Sequence, residues 1–192
     1  MTIDNYTIVI TGLGGQGLIS LLHILGKALM ENGYKVITSE THGLSQRGDE
    51  VTCFLRFGDM LNAPIPMIGS ADMIIATEKS CILDVLKYAK PNKSTKLIIS
   101  TYEKIIINEK YPSKDYLIKV LKENSDNIYN VPATDIAENV VKNQKAANIV
   151  ILGFILRFLP LSEKDIENSL KQQFLERDLE LNLKAFKEGE IQ

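Results

Sequence analysis

Short β-branched runs alternate along the chain with longer stretches whose apolar residues recur at helical spacing. The run Tyr6-Thr7-Ile8-Val9-Ile10-Thr11 is continuous, as expected for a strand covered on both faces. It passes into Gly12-Leu13-Gly14-Gly15-Gln16-Gly17. Leu18, Leu21, Leu22, Leu25 and Leu29 then predict a helix, closed by Gly33 as a C-terminal cap. Residues 35–39 predict a second strand, 51–57 a third, 73–76 a short buried one and 96–100 another. A helix is predicted over 79–89, stopped by Pro91. Pro64 and Pro66 forbid regular structure over 61–69, and 102–111 allows a short edge strand before Pro112. Ser113 starts a helix to about residue 122, and 127–131 is the last strand. Thr134 is the predicted cap of a helix over 135–142. From Lys145 onward the pattern is helical: 146–158, a capped start at Ser162 with Asp165 three residues on, and a charged amphipathic stretch over 176–188.

Strands alternating with helices predict an α/β class, a three-layer Rossmann-like fold with a mostly parallel sheet and a helical C-terminal extension. The first unit reads as strand, loop, helix, strand, with a right-handed crossover. No repeat, low-complexity segment or linker interrupts the 192 residues, so one domain is expected over 1–192, with about 145–192 as its helical part.

Charge and cysteine content narrow the function. Net charge is −2, from 22 basic and 24 acidic side chains, which gives no long-range pull toward nucleic acid or an anionic membrane. The longest apolar stretch, 149–159, is interrupted by Arg157 and stopped by Pro160, too short to span a bilayer. The first six residues carry no basic region, so no signal peptide is expected. The two cysteines, Cys53 and Cys81, fit a reducing, cytoplasmic setting. A cubane or zinc site needs about four soft ligands, so the chain alone is not expected to build one.

Gly12-x-Gly14-x-x-Gly17 has the spacing and the strand-loop-helix setting of a dinucleotide fingerprint. Glycines allow positive φ and close backbone approach, and a helix N-terminus offers amide hydrogens to an anion. Three readings stay open: a dinucleotide site with Glu40 as its acid, an anion site of another kind, or tight strand–helix packing alone. The polar segment Glu40-Thr41-His42-Gly43-Leu44-Ser45-Gln46-Arg47-Gly48 follows the second strand, at the carboxyl edge where open α/β sheets place ligands. Gly12, Gly14, Gly15, Gln16 and Gly17, with His42, Ser45, Gln46 and Arg47, are therefore the candidate binding residues. Arg47 is the foremost, as an anion ligand or an interface pair. His23 is placed on the solvent side of its helix. Glu78 either lines the same edge or starts the next helix as a first-turn acid. The chain presents no Ser-His-Asp or Cys-His set for a self-contained hydrolase.

The two loops, with Arg56-Phe57-Gly58-Asp59 after the third strand, resemble the gamma domain of pyruvate/2-oxoacid:ferredoxin oxidoreductases. The form His42-Gly43-Leu44-Ser45-Gln46-Arg47-Gly48 is similar to that of the indolepyruvate type; Asp49 stands where a further glycine is usual. The resemblance extends through 148–153, 159–162, Asn182 and Ala185-Phe186, nearly the whole chain. It implies an oxidoreductase subunit of a hetero-oligomer that turns a 2-oxoacid and coenzyme A into acyl-CoA and carbon dioxide while reducing ferredoxin. It implies no catalytic residue and no tightly held cofactor on this chain, with coenzyme A as a possible ligand. Thiamine diphosphate and iron-sulfur clusters would sit on a large alpha subunit, and ferredoxin would be reached through the complex. The alternatives are a stand-alone NAD- or FAD-dependent oxidoreductase and a non-catalytic nucleotide-binding module.

Overall fold

The computed structural model describes residues 3–42, 50–105 and 110–192. Six strands form one sheet: β1 (Tyr6–Leu13), β2 (Val36–His42), β3 (Glu50–Phe57), β4 (Met73–Ala76), β5 (Lys96–Ser100) and β6 (Asn127–Val131). Their order is β2-β3-β1-β4-β5-β6. β1, β4, β5 and β6 are parallel, and β3 runs against both its neighbours, so β2 points the same way as β1. The strand-helix-strand unit read from the sequence therefore steps over an intervening strand. The reason is connection length. Only residues 43–49 separate β2 from β3, and a parallel crossover needs a dozen or more.

Seven helices flank the sheet among the described residues: α1 (Leu18–Glu31), α2 (Ile82–Val85), α3 (Lys114–Asn124), α4 (Ala133–Ile136), α5 (Ala147–Ile155), α6 (Glu163–Gln173) and α7 (Glu176–Glu190). Ile8 and Ile10 of β1, Cys53, Leu55 and Phe57 of β3 and Met73 and Ile75 of β4 face one layer, where they pack with the leucines of α1 and the apolar faces of α5, α6 and α7. Val9, Phe54, Ile74, Leu97 and Ile99 face the other, against α2 and α3. That gives three layers, as the sequence predicts.

Several local expectations hold and others shift. Gly33, at φ 85°, ends α1 in a Schellman arrangement, with Gly33 N donating to Met30 O at 3.0 Å and Tyr34 N to Leu29 O at 3.1 Å. His23 is exposed. Ser162 and Asp165 form a reciprocal capping box at α6. The helix predicted over 79–89 shrinks to α2 and one 3-10 turn, and in the turn before α2 the Glu78 carboxylate accepts from the backbone N–H groups of Ser80 and Cys81. Thr134 does not cap. Pro132 occupies that position, Thr134 lies inside α4, and a π-turn follows to Lys142. Thr101–Ile105 and Lys110–Pro112 contain no strand; residues 106–109 lie outside those described. No helix among the described residues is long and apolar enough to cross a membrane.

Candidate functional site

The chain leaves β1 toward β2 on one side and later places β4 on the other, so strand direction of travel reverses between β1 and β4. Open α/β sheets form a crevice at such a point, outside the carboxyl ends of the strands. A cleft of about 220 Å³ lies there. Gly14, Gly15 and Gln16 after β1 and Thr77 after β4 form one wall. Ser100 at the end of β5, Tyr102 just past it and Thr134 after β6 continue it. Gln144, Lys145, Ala147, Asn148 and Ile151, at the start of α5, close the opposite side. A second cleft, of about 340 Å³, lies across the Gly17–Asn148 contact and shares Gly15, Lys145 and Asn148 with the first.

The glycines divide by role. Gly12 is still in β1, paired with Val51, and a Cβ on it would fall 1.8 Å from Thr77 Oγ1. Gly17, at φ 75°, starts α1, and a Cβ there would fall 2.5 Å from Asn148 Nδ2. Both are glycines because other parts of the chain come too close. Gly14 and Gly15 are exposed at the cleft, and Gly15 sits at φ 83°. Gln16 is occupied by the loop itself. Its Oε1 accepts from Leu13 N at 2.8 Å and from Thr77 Oγ1 at 2.7 Å. Since Leu13 N can only donate, the amide oxygen must be the end that faces it. Asn148 Nδ2 donates to Gly17 O at 2.9 Å.

His42 ends β2 opposite Val51, which pairs with Gly12 in turn, so His42 and the glycine loop share the sheet's carboxyl edge with β3 between them. Ser45, Gln46 and Arg47 lie outside the described residues. Glu40 is on the outermost strand, about 10 Å (two strand spacings) from β1. A dinucleotide fingerprint puts its acid on the strand beside the glycine turn and its first glycine in that turn. Here β3 intervenes and Gly12 is extended, so the dinucleotide geometry is not reproduced.

Glu78 lies at this edge without lining the cleft. It is 1% exposed, and its carboxylate accepts from Ser80 N, Ser80 Oγ, Cys81 N, Lys104 N and Tyr111 Oη. Burial works to raise its pKa, but the hydrogen bonds from Ser80, Tyr111, Lys104 and Cys81 outweigh it and hold it below the usual carboxylate range. Through them Glu78 ties the turn after β4 to the segment that brings Tyr102 to the cleft. Lys79 N, next door, donates to Tyr102 O at 3.0 Å. Burial, reinforced by Glu78 and Glu50, pushes the Cys81 thiol well above its ordinary value. Burial and Glu40 push Cys53 up to about 11. Two buried cysteines fall short of the four thiolates an iron-sulfur cluster takes, and the described residues contain no group of three or more metal-ligating side chains.

Thr77, Ser100, Tyr102, Thr134, Gln144, Lys145 and Asn148 are absent from the sequence-based set. Thr77, Ser100 and Thr134 each lie at or just past a strand's carboxyl end, a signal that could have marked them. Lys145 and Asn148 reach the loop only through tertiary packing.

Comparison with known proteins agrees with this architecture. The chain is 36% identical over 191 residues to the indolepyruvate oxidoreductase subunit IorB of Archaeoglobus fulgidus, covering 95% of this chain and 92% of that protein. It superposes on the gamma subunit of a keto/oxoacid ferredoxin oxidoreductase from Geobacter sulfurreducens with a TM-score of 0.72 at 23% identity, covering 96% and 95% of the two chains. It also superposes on the 2-oxoglutarate:ferredoxin oxidoreductase of Magnetococcus marinus with a TM-score of 0.73 at 20% identity, where it spans 98% of its own length but 31% of that chain. That structure holds 2-oxoglutarate, coenzyme A and succinyl-CoA. The profile of the pyruvate ferredoxin/flavodoxin oxidoreductase family matches residues 7–190, and the chain belongs to that family.

Proposed function

We propose that this chain is the small subunit of a 2-oxoacid:ferredoxin oxidoreductase of the indolepyruvate type, and that its cleft receives the anionic part of coenzyme A. The observation that carries the reading is the cleft between Gly14–Gly15 and the start of α5. There the exposed Gly14 and Gly15, just before α1, face Lys145 and the start of α5 across the crevice where α/β sheets take ligands, and Lys145 brings a positive charge to it. The hydroxyls of Thr77, Ser100, Tyr102 and Thr134 add hydrogen-bonding capacity along the same wall. Ser45, Gln46 and Arg47 enter the proposal as further anion contacts or as partner contacts.

The overall reaction takes a 2-oxoacid and coenzyme A to an acyl-CoA and carbon dioxide, and the released electron pair reduces ferredoxin. Thiamine diphosphate and iron-sulfur clusters supply that chemistry from a larger partner subunit. Two buried cysteines on this chain, short of a cluster's four, support that division, as does a related chain in which this fold spans 31% of the length. The exposed side chains of Met60, Ile65, Met67 and Ile68 offer apolar surface for the partner. The setting is cytoplasmic, where thiols stay reduced.

Co-expression with the large subunit tests the proposal. A stable complex is expected that reduces ferredoxin in the presence of indolepyruvate and coenzyme A, with kcat/KM for indolepyruvate at least about tenfold above that for pyruvate, a preference worth ~1.4 kcal/mol. Turnover by this chain alone contradicts the subunit assignment. Equal use of pyruvate contradicts the aryl-pyruvate assignment.

A further inference from the structure

We propose that Gln16 and Asn148 are positioning residues that hold the glycine loop in its ligand-receiving shape, one from inside the loop and one from α5. The proposal rests on the reading of the cleft as the coenzyme A site. Gln16 closes the loop on Leu13 twice, since its N donates to Leu13 O at 3.2 Å and its Oε1 accepts from Leu13 N at 2.8 Å. The same oxygen takes the hydroxyl of Thr77, which is itself anchored by Thr77 N donating to Thr11 O at 2.9 Å. One amide oxygen thereby fastens the beginning of the loop to the end of β4. The bare Cα of Gly12 leaves the room for this, because a methyl there would overlap both Thr77 Oγ1 and Gln16 Oε1.

The other end of the loop is fixed from far along the chain. Gly17 O accepts from Leu21 N at 3.0 Å, the first turn of α1, and from Asn148 Nδ2, 131 residues away in sequence. Asn148 is buried, and Gly17 lacks the Cβ that would displace it. Between these two fastenings Gly14 and Gly15 face the cleft. Glycines left untied would sample many backbone shapes, and ordering them would weaken ligand binding. The two side chains remove that freedom before the ligand arrives.

The test uses the reconstituted complex and steady-state kinetics with coenzyme A and the 2-oxoacid varied in turn. Gln16→Met keeps the side-chain length and removes the acceptor; Asn148→Leu removes the donor at similar volume. Each is expected to raise the KM for coenzyme A about tenfold, the scale of one hydrogen bond lost from the loop. The KM for the 2-oxoacid and kcat should stay within about twofold, because the chemistry is on the partner. Lys145→Glu serves as the control for the cleft itself, and is expected to raise the KM for coenzyme A as well. If Lys145→Glu raises it and neither Gln16→Met nor Asn148→Leu does, the positioning proposal falls and the cleft assignment stands. A lower kcat with both KM values unchanged marks loss of folded protein only and also overturns positioning. If none of the three variants moves the KM for coenzyme A, the cleft assignment itself is wrong.

Discussion

Single atoms at the glycine loop carry measurable consequences. Gly12→Ala places a methyl group 1.8 Å from Thr77 Oγ1, so Thr77 and Gln16 must both give way. A loss of about 1–3 kcal/mol in urea denaturation is expected, the range for overpacking a tight site. Thr77→Ala in the same background should restore part of it, since the clashing hydroxyl is then gone. Glu78 makes a different kind of prediction. Its pKa is depressed in the folded state, so its contribution is complete above the unfolded value of about 4.3 and is lost as pH falls through the lower folded value. Glu78→Gln should cost about 2 kcal/mol at pH 7, because an amide nitrogen must then face donors on one side. The variant should also lose less stability than the wild type between about pH 5 and pH 3 in acid titrations of thermal stability. A wild-type curve parallel to the variant's contradicts this. The sequence showed which glycines were present but not why: Gly12 and Gly17 answer to Thr77 and Asn148, residues distant in the chain. In the sequence Glu78 read as a first-turn acid of the next helix in preference to a cleft residue. It is a buried acceptor for five donors, an outcome decided by Lys104 and Tyr111, whose approach no local pattern announces.

At the scale of elements, α5 and α7 are the pair most sensitive to small changes. Gly153 and Gly189 let the two backbones meet, for a Cβ on Gly153 would lie 2.0 Å from Phe186 O and one on Gly189 2.0 Å from Val150 O. Alanine at either position forces the helices apart, and a loss of at least about 2 kcal/mol is expected by chemical denaturation. Gly26 in α1 is the contrast. A Cβ there meets ordinary neighbours at 3.7 Å and beyond, so Gly26→Ala should be neutral or stabilise by up to about 1 kcal/mol through helix propensity. Equal effects at Gly26 and Gly153 would contradict the packing described for α5 and α7. The strands were legible because β-branched runs such as 6–11 and 96–100 have no competing periodicity. The caps at Ser113 and Ser162 were legible because capping is local chemistry. The reversed direction of β3 is a matter of connection length rather than strand pattern. Ahead of the shortened α2, Glu78 takes up amides at Ser80 and Cys81 that a helix start leaves without partners.

For the molecule as a whole, the three-layer architecture followed from the alternation of strand and helix signals, while the cleft did not. One side of its wall begins with the glycine loop, which the sequence marked, and continues along the ends of β4, β5 and β6. The opposite side comes from the start of α5, which looked like part of a buried helix with no chemistry of its own. The cleft thus joins the first twenty residues to the C-terminal helical layer, and α7 braces α5 from behind through the Gly153–Gly189 crossing. The most direct measurement is hydrogen exchange on the reconstituted complex, with and without coenzyme A. Slower exchange is expected at the first amides of α1 and at residues 144–148 when coenzyme A is present, and little change in α3 or at the α6–α7 connection. Protection confined to other segments, with the glycine loop and the start of α5 unaffected, would contradict the account.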